Sequence, residues 1–265
     1  MMKVKKFILA ATAVLTMSLS SSAWTNEHRF CAYAAHFHLT PTTLATLERW
    51  IDMSIADYAQ WMDWYRKDPR YSNLLTDHVI RAEKDCTLIG RPDERGEGVL
   101  HKRIEASMGV LQNWRNLPDS TVLDHIKFLC HAVPEIHCPG HYYYEEIKAH
   151  TFQINYKGER KISYHQFWDN YLFYHFPKYD LEQYRALIDI MDAGRIAQVR
   201  QGTPTQWAMA NARKMKRIYD WAGKGTLIDD AWIEEHLPFV QECLAEGCYR
   251  LAHVLNMLFD PEYKG

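Results

Sequence analysis

Apolar residues recur at helical spacing along most of this 265-residue chain, and this periodicity restricts the fold more than any other feature of the sequence. Thr40 followed by Pro41 is a typical N-cap with proline at the first helical position. A long helix is predicted from there to about Arg66, and the apolar residues on one of its faces are Leu44, Leu47, Ile51 and Ile55. Alternation typical of strands is rare, so the chain is predicted to be mainly α.

The same spacing predicts further helices and one small hairpin. Ser120 is expected to cap a helix that leads into His131, and Ser163 to cap another through His165 and Asp169. The other helical segments are predicted at about 100–111, 180–200, 204–222 and 229–258. Residues 151–161 are the best candidate for a β-hairpin. Because no repeat, linker or composition shift divides the chain, residues 24–265 are predicted to form one multi-helix bundle.

The first 23 residues have the pattern of a secretory signal peptide. Three lysines precede an apolar run from Phe7 to about Leu19, which is too short for a membrane span. Ser21 and Ala23 satisfy the small-x-small cleavage rule, so the mature chain is predicted to begin at Trp24. The protein is therefore expected to be exported, either to a periplasm or out of the cell, with no transmembrane segment in the mature chain.

Charge and cysteine content restrict the partners and the chemistry. Signal removal lowers Lys+Arg from 31 to 28 against 33 Asp+Glu, a formal charge of −5 that by itself does not favour polyanions. Six cysteines remain, and an exported chain meets an oxidising compartment. A disulfide or a buried thiol is therefore preferred over metal ligation for Cys130 and Cys138, and the pairing stays open.

Histidines and acidic residues occur together in two short segments. His131 and Glu135 are four residues apart in "HAVPEIHCPGH", where a Pro-Gly turn precedes His141. His165 and Asp169 have the same spacing, which puts both side chains on one helical face. One such pair alone is more often a surface hydrogen bond. Two pairs and an additional histidine offer enough nitrogen and oxygen donors for more than one zinc ion.

Several segments, in order, resemble one family. "FLCHAVPEIHCPGH" resembles the family run "FLVHFVGDIHQPLH", "HQFWDN" resembles "LHSVWD", and "WMDWYR" resembles "WAD..R". The opening "WTNEHRFCAYAAHFHLTP" and the closing "GCYRLAHVLN" are also similar to that family's ends. The family is that of the secreted zinc-dependent single-strand-specific nucleases, which are also three-prime nucleotidases (class I nucleases). Bacterial zinc-dependent phospholipases C share its superfamily and its helical fold.

The resemblance implies three zinc ions and a role for each matching residue. One ion would be held by Asp63, His78, His131 and Glu135, and a second by His141, His165 and Asp169. The third would be held by the amine and carbonyl of Trp24 with His28 and Glu135. Asp63 would also orient the attacking water, and Arg66 would stabilise the charge that develops on the phosphate. Three dications would bring the formal charge from −5 to about +1 and concentrate positive charge in the cleft.

The chain also departs from the family pattern. Glu135 stands where the family usually has aspartate, Pro134 replaces a glycine and predicts a kink or helix end, and Val79 replaces an aromatic residue. One residue fewer precedes His28, which leaves His36 or His38 as alternative ligands. The three tyrosines after His141, residues 142–144, are read either as base-stacking or as packing residues.

Three hypotheses about function follow. The first is an exported zinc phosphodiesterase that cleaves single-stranded DNA or RNA and three-prime nucleotides. The second is a phospholipase C acting on phospholipid, since the metal scaffold is shared and the base pocket is poorly matched. The third is a secreted helical binding protein whose metal site has decayed, because of Glu135, Pro134 and the shortened N-terminus.

Overall fold

A computed structural model describes residues 25–65, 68–71 and 77–265. The predicted signal peptide at residues 1–23, the predicted ligand Trp24 and the predicted charge-stabilising Arg66 lie outside these residues. Within the described ranges, no helix combines the length and the apolar character needed to cross a membrane.

The described residues are mostly helical, as the periodicity predicts. In chain order the helices are α1 (Thr25–His36), α2 (Pro41–Leu47), α3 (Ile55–Tyr58), α4 (Trp61–Tyr65), α5 (Leu100–Leu111), α6 (Asp119–Glu135), α7 (Tyr164–Trp168), α8 (Tyr171–His175), α9 (Leu181–Ile188), α10 (Ala193–Val199), α11 (Pro204–Met215), α12 (Ile218–Trp221) and α13 (Asp230–Phe259). Short 3-10 turns occur at Pro69–Tyr71, Trp114–Asn116, Pro139–His141 and Ala149–Thr151. The mainly α prediction is confirmed.

Short strands form two small sheets. They are β1 (Ile80–Ala82), β2 (Tyr142–Tyr144), β3 (Gln153–Tyr156), β4 (Arg160–Ser163) and β5 (Leu227–Ile228). β1 and β2 pair in parallel, with Ile80 opposite Tyr142. β3 pairs antiparallel with β4 and parallel with β5, so the predicted hairpin is confirmed. Gly158 has a φ of 74° in its turn, which glycine adopts without steric cost.

The capping predictions have mixed outcomes. Thr40 caps α2 by accepting from the Thr43 N–H, and Ser163 caps α7 by accepting from the Gln166 N–H. Ser120 does not cap α6, because the helix already begins at Asp119 after the extended Pro118. The Asp119 carboxylate instead accepts the indole N–H of Trp50 at 2.8 Å.

The predicted long helix from residue 41 to about Arg66 is wrong. α2 ends at Leu47, and a new helix starts at Ile55, where the Ser54 hydroxyl accepts the Ala56 N–H. Leu47 and Ile55 are nevertheless both buried. The helical spacing correctly predicted which side chains face the core. Several short helices bury these side chains as well as one long helix does.

The core surrounds the 30-residue helix α13, which packs against α1 and α6. α6 also contacts α1 and α5. α13 begins and ends within a residue of its predicted range, with the Asp229 carboxylate accepting the Trp232 N–H at its N-terminus. The contact between α1 and α6 is where the predicted metal ligands meet.

All six cysteines are free thiols, so the disulfide prediction is wrong. Five of them are buried, namely Cys31, Cys130, Cys138, Cys243 and Cys248. Most of them fill the helical core as small apolar side chains. The Cys31 thiol donates to the Leu244 carbonyl, for example, and the Cys243 thiol contacts the Met215 sulfur at 3.8 Å. The other alternative from the sequence, buried thiols, therefore agrees with the structure at Cys130 and Cys138.

Candidate metal centre

The C-terminal end of α6 supplies the first two predicted ligands. His131 and Glu135 lie one turn apart, with His131 Nε2 4.0 Å from Glu135 Oε1. Pro134 precedes the last residue of the helix, which ends at Glu135 as its position predicts. The His131 Nδ1–H donates to the Ala59 carbonyl at 2.8 Å. Because this bond fixes the tautomer, the Nε2 lone pair of His131 faces Glu135.

Helices α1 and α4 add His28 and Asp63 to this end of α6. His28 Nε2 lies 2.8 Å from Glu135 Oε2, and the His28 and His131 rings are 3.9 Å apart. Donor atoms of His28, Asp63 and His131 all lie within 4.8 Å of one another. His36 is exposed and His38 pairs with Asp189 at 2.8 Å, so neither replaces His28 in this group.

Two paired strands position the next two histidines. His78 precedes β1 by two residues and His141 immediately precedes β2, so the parallel pairing aligns the two segments. His78 forms a second group with His131 and Glu135 in which all donor atoms lie within 4.8 Å. Its Nε2 is 3.9 Å from Asp63 Oδ1. His141 is reached through the 3-10 turn that begins at Pro139.

A second half of the site forms around Asp169, the C-cap residue that follows α7. His141 Nε2 lies 2.9 Å from Asp169 Oδ1, and His165 Nε2 lies 3.1 Å from Asp169 Oδ2. His165 Nδ1–H donates to the Gly140 carbonyl at 3.1 Å. A Cβ on Gly140 would approach the Trp168 Cβ to 3.1 Å, so glycine permits this close contact.

The two halves meet at His141. Its Nδ1 lies 2.8 Å from Glu135 Oε1, while its Nε2 faces Asp169. The term donor cluster is used below for the eight described residues that converge here: His28, Asp63, His78, His131, Glu135, His141, His165 and Asp169. Apart from Asp63 and His165, which are partly exposed at the rim, these side chains are buried.

The electrostatics of the donor cluster favour a bound positive charge. Burial alone would lower the pKa of His141, but Cys138, Glu135 and Asp169 raise it well above its ordinary value. Burial lowers the pKa of His28 well below its ordinary value, and the neighbouring imidazoles lower it further. His28 is therefore a neutral nitrogen donor, as metal ligation requires.

The donor types and spacings fit zinc. Imidazole nitrogens and carboxylate oxygens are its usual protein ligands. Donor atoms about a tetrahedral zinc lie roughly 3.3–3.8 Å apart when the bonds are roughly 2.0–2.3 Å, and the separations here scatter around that range. The described residues of the donor cluster therefore fit zinc by the chemistry of their donors.

Two buried carboxylates that the sequence did not indicate support the donor cluster. Glu27 accepts the N–H groups of Leu172 and Phe173 at the start of α8, beside Asp169. Asp77 precedes His78 and accepts the N–H groups of Gly98 and Val99. The N–H groups that these two carboxylates accept lie far from them in sequence. The only feature of the sequence that could have indicated them is that each acid directly precedes a predicted ligand.

The outer face of β1 and β2 leads away from the donor cluster. Arg81 and Tyr143 are opposite each other and are the partly exposed residues of these strands. The Tyr143 ring lies 4.7 Å from the ring of exposed His150 and 6.4 Å from that of His165. An open pocket continues past Tyr143, and its charged residues are Arg81, Glu83, Arg91, Glu145 and Lys148.

Known proteins match nearly the whole chain. A family model described as S1/P1 Nuclease matches residues 23–260. Endonuclease 4 of Arabidopsis thaliana is 23% identical over an alignment of 287 residues that covers 96% of this chain and 96% of that protein. Endonuclease 5 of the same plant is 22% identical over 257 residues, covering 84% of this chain and 85% of the relative. Every residue of the donor cluster lies within the span of the family match.

Proposed function

This chain belongs to the S1/P1 nuclease family and is thus a hydrolase of phosphodiester bonds. We propose that it cleaves single-stranded nucleic acid with zinc bound at the donor cluster. The main observation behind the proposal is the convergence of imidazoles and carboxylates from α1, α4, α6, α7 and the segments before β1 and β2. Three-prime nucleotides are proposed as further substrates, as the resemblance implies.

The ligand assignment follows the two halves of the cluster. Asp63, His78, His131 and Glu135 are proposed for one ion, and His141, His165 and Asp169 for a second. His28 and Glu135, with the amine and carbonyl of Trp24, are proposed for a third. Bound zinc lowers the pKa of water towards about 7 and stabilises negative charge on a phosphate.

The protein side chains orient these donors and the substrate. The carbonyls of Ala59 and Gly140 hold the His131 and His165 rings so that each Nε2 faces a carboxylate. We assign the orientation of the attacking water to Asp63, because its carboxylate lies at the partly exposed rim. Arg66 is proposed to stabilise the developing charge on the phosphate, from the sequence resemblance alone.

The sheet face beside the cluster supports a nucleic acid substrate. An aromatic ring next to the site offers stacking to a base, and neighbouring cations offer contacts to the phosphodiester backbone. Tyr143 and His150 have the first property, and Arg81, Arg91 and Lys148 have the second. The similar proteins are named endonucleases, so the phospholipase C alternative is not favoured.

Cleavage assays on the mature chain test the proposal. The protein is prepared with Trp24 verified as its N-terminus by mass spectrometry, which also tests the proposed export signal. We expect cleavage of single-stranded DNA or RNA over duplex, loss of cleavage with a chelator, recovery with zinc, and three zinc ions by elemental analysis. Cleavage that survives chelation would refute the zinc dependence. Phosphocholine release from phosphatidylcholine vesicles without strand cleavage would favour the lipase, and a zinc-loaded but inactive protein would favour the binding protein.

Tyr143 provides a sharper test of the substrate face. Tyr143→Ala should weaken binding of single strands by about 1–3 kcal/mol, seen as a higher KM, since one stacked base is lost. Tyr143→Phe keeps the ring and is the matched control, with a KM near that of the wild type. Equal KM values for all three proteins would place the strand elsewhere.

A further inference from the structure

Cys138 lies inside the second half of the donor cluster. Its side chain is fully buried, and its Sγ is 3.5 Å from Asp169 Oδ1. The donor atoms of Cys138, His141 and Asp169 all lie within 4.8 Å of one another. The backbone places the thiol there, because Cys138 is the N-cap of the turn that returns His141 to the cluster.

The environment of Cys138 differs from that of the other buried thiols. Cys31 faces a backbone carbonyl, and Cys243 faces the thioether of Met215. Both environments are those of ordinary core cysteines. Cys138 instead faces a carboxylate and an imidazole that already pair with each other at 2.9 Å. The Cys138 thiol donates to Asp169 Oδ1 at 3.5 Å, so it takes part in the polar contacts of the donor cluster.

The separations suit a shared ion. Sulfur and oxygen ligands of a tetrahedral zinc lie roughly 3.5 Å apart, because the bonds are roughly 2.3 and 2.0 Å long and diverge at the tetrahedral angle. The observed distance from Cys138 Sγ to Asp169 Oδ1 is 3.5 Å. His165 Nε2 lies 3.1 Å from the other oxygen of Asp169.

We propose that Cys138 is a thiolate ligand of the ion held by His141, His165 and Asp169. This inference rests on the proposed metal-dependent function. On binding, the S–H bond breaks, a sulfur–metal bond forms, and the proton leaves to solvent, so one proton is released for each ion bound. The thiolate adds one negative charge to this half of the cluster.

The sulfur changes the character of this half of the site. Four protein donors make a closed site, which is typical of structural zinc, whereas three leave a position open. Thiolate also favours soft ions such as Zn²⁺ over Mg²⁺ or Ca²⁺. Exchange with water and substrate then falls to the half around Asp63, which the proposed thiolate does not close.

Cobalt substitution tests the ligand directly. Co²⁺ bound through a thiolate gives an intense near-ultraviolet charge-transfer band, whereas nitrogen and oxygen ligands alone do not. We expect this band in the wild-type mature chain and in Cys243→Ala, a matched buried thiol outside the cluster. It should be lost in Cys138→Ala, together with at least about tenfold of the affinity for one ion.

The wild-type spectrum decides the question even if a variant fails to fold. Bound Co²⁺ without the band would overturn the thiolate ligand, and strand cleavage by the same sample would leave the nuclease function intact. A band that persists in Cys138→Ala would also overturn it, because another sulfur would then be the ligand. A chain that binds neither Co²⁺ nor Zn²⁺ would overturn both this inference and the proposed zinc dependence.

Discussion

Two buried polar clusters lie near the C-terminal end of α6, and they differ in composition. In the ion-pair network of His137, Lys214, Glu246 and Arg250, the Glu246 carboxylate lies 2.9 Å from Lys214 Nζ and 3.5 Å from an Arg250 nitrogen. Arg250 also donates to the Val199 carbonyl at 3.0 Å and to His137 Nε2 at 2.7 Å. In the donor cluster, the contacts described above join imidazoles to carboxylates.

The difference shows what each cluster requires. Protein cations balance Glu246, so the ion-pair network is complete within the fold and has a structural role. The donor cluster brings together groups whose common property is a lone pair, which suits a metal cation. His137 belongs to the network although it lies between Glu135 and His141 in sequence.

Asp169→Asn should give the largest effect, by removing an oxygen donor from the donor cluster. We expect nuclease activity to fall at least about 100-fold, since loss of even an outer-shell partner of a metal costs about 10–100-fold. Zinc should also raise the melting temperature of the variant less than that of the wild type. Activity within a few-fold of the wild type would remove Asp169 from the proposed site.

Glu246→Gln, in the ion-pair network, should lower stability and leave activity unchanged. Losing this buried carboxylate leaves Arg250 and Lys214 without their shared anion, so the free energy of unfolding should fall by about 3 kcal/mol. Urea denaturation measures this change. Activity per folded molecule and the zinc-induced stabilisation should stay near wild type.

Glu242→Gln is the matched control for that variant. Glu242 is half-exposed, pairs with Arg195 at 3.0 Å and lies 3.9 Å from Lys214 Nζ, so its loss should cost less than about 1 kcal/mol. Equal losses for the two variants, or a loss of zinc binding in Glu246→Gln, would contradict the division into a structural network and a donor cluster.

His101 tests a buried histidine outside both clusters, with a smaller expected effect. Burial lowers the pKa of His101 to about 4, while the charge of Glu105 raises it and that of Lys102 lowers it. Between pH 4 and about 6.5 the unfolded state therefore binds a proton that the folded state does not. The stability from this group is complete above about pH 6.5 and is lost as the pH falls.

The measurement compares wild type with His101→Gln in urea at pH 7 and pH 5, with chelator present so that metal binding does not contribute. The wild type should lose about 1–2 kcal/mol more than the variant between these two pH values. The same loss in both proteins would show that His101 is not held neutral in the folded state.

Much of the fold was predictable because helical spacing is a local property. The caps at Thr40 and Ser163, the hairpin at β3 and β4, and the extent of α13 follow from short patterns and are confirmed. The break between α2 and α3 was not predictable. The same apolar residues face the core in either arrangement, so their spacing does not distinguish one helix from several.

The sequence by itself determined the donor chemistry of the candidate site. His131 with Glu135, and His165 with Asp169, are pairs four residues apart whose geometry a single helical turn fixes. The tertiary structure alone decided that His28 and His141 both reach Glu135, that His137 turns away to Arg250, and that Cys138 faces Asp169. These contacts depend on how α1, α6, α7 and α13 pack, and packing joins residues that no local pattern in the chain connects.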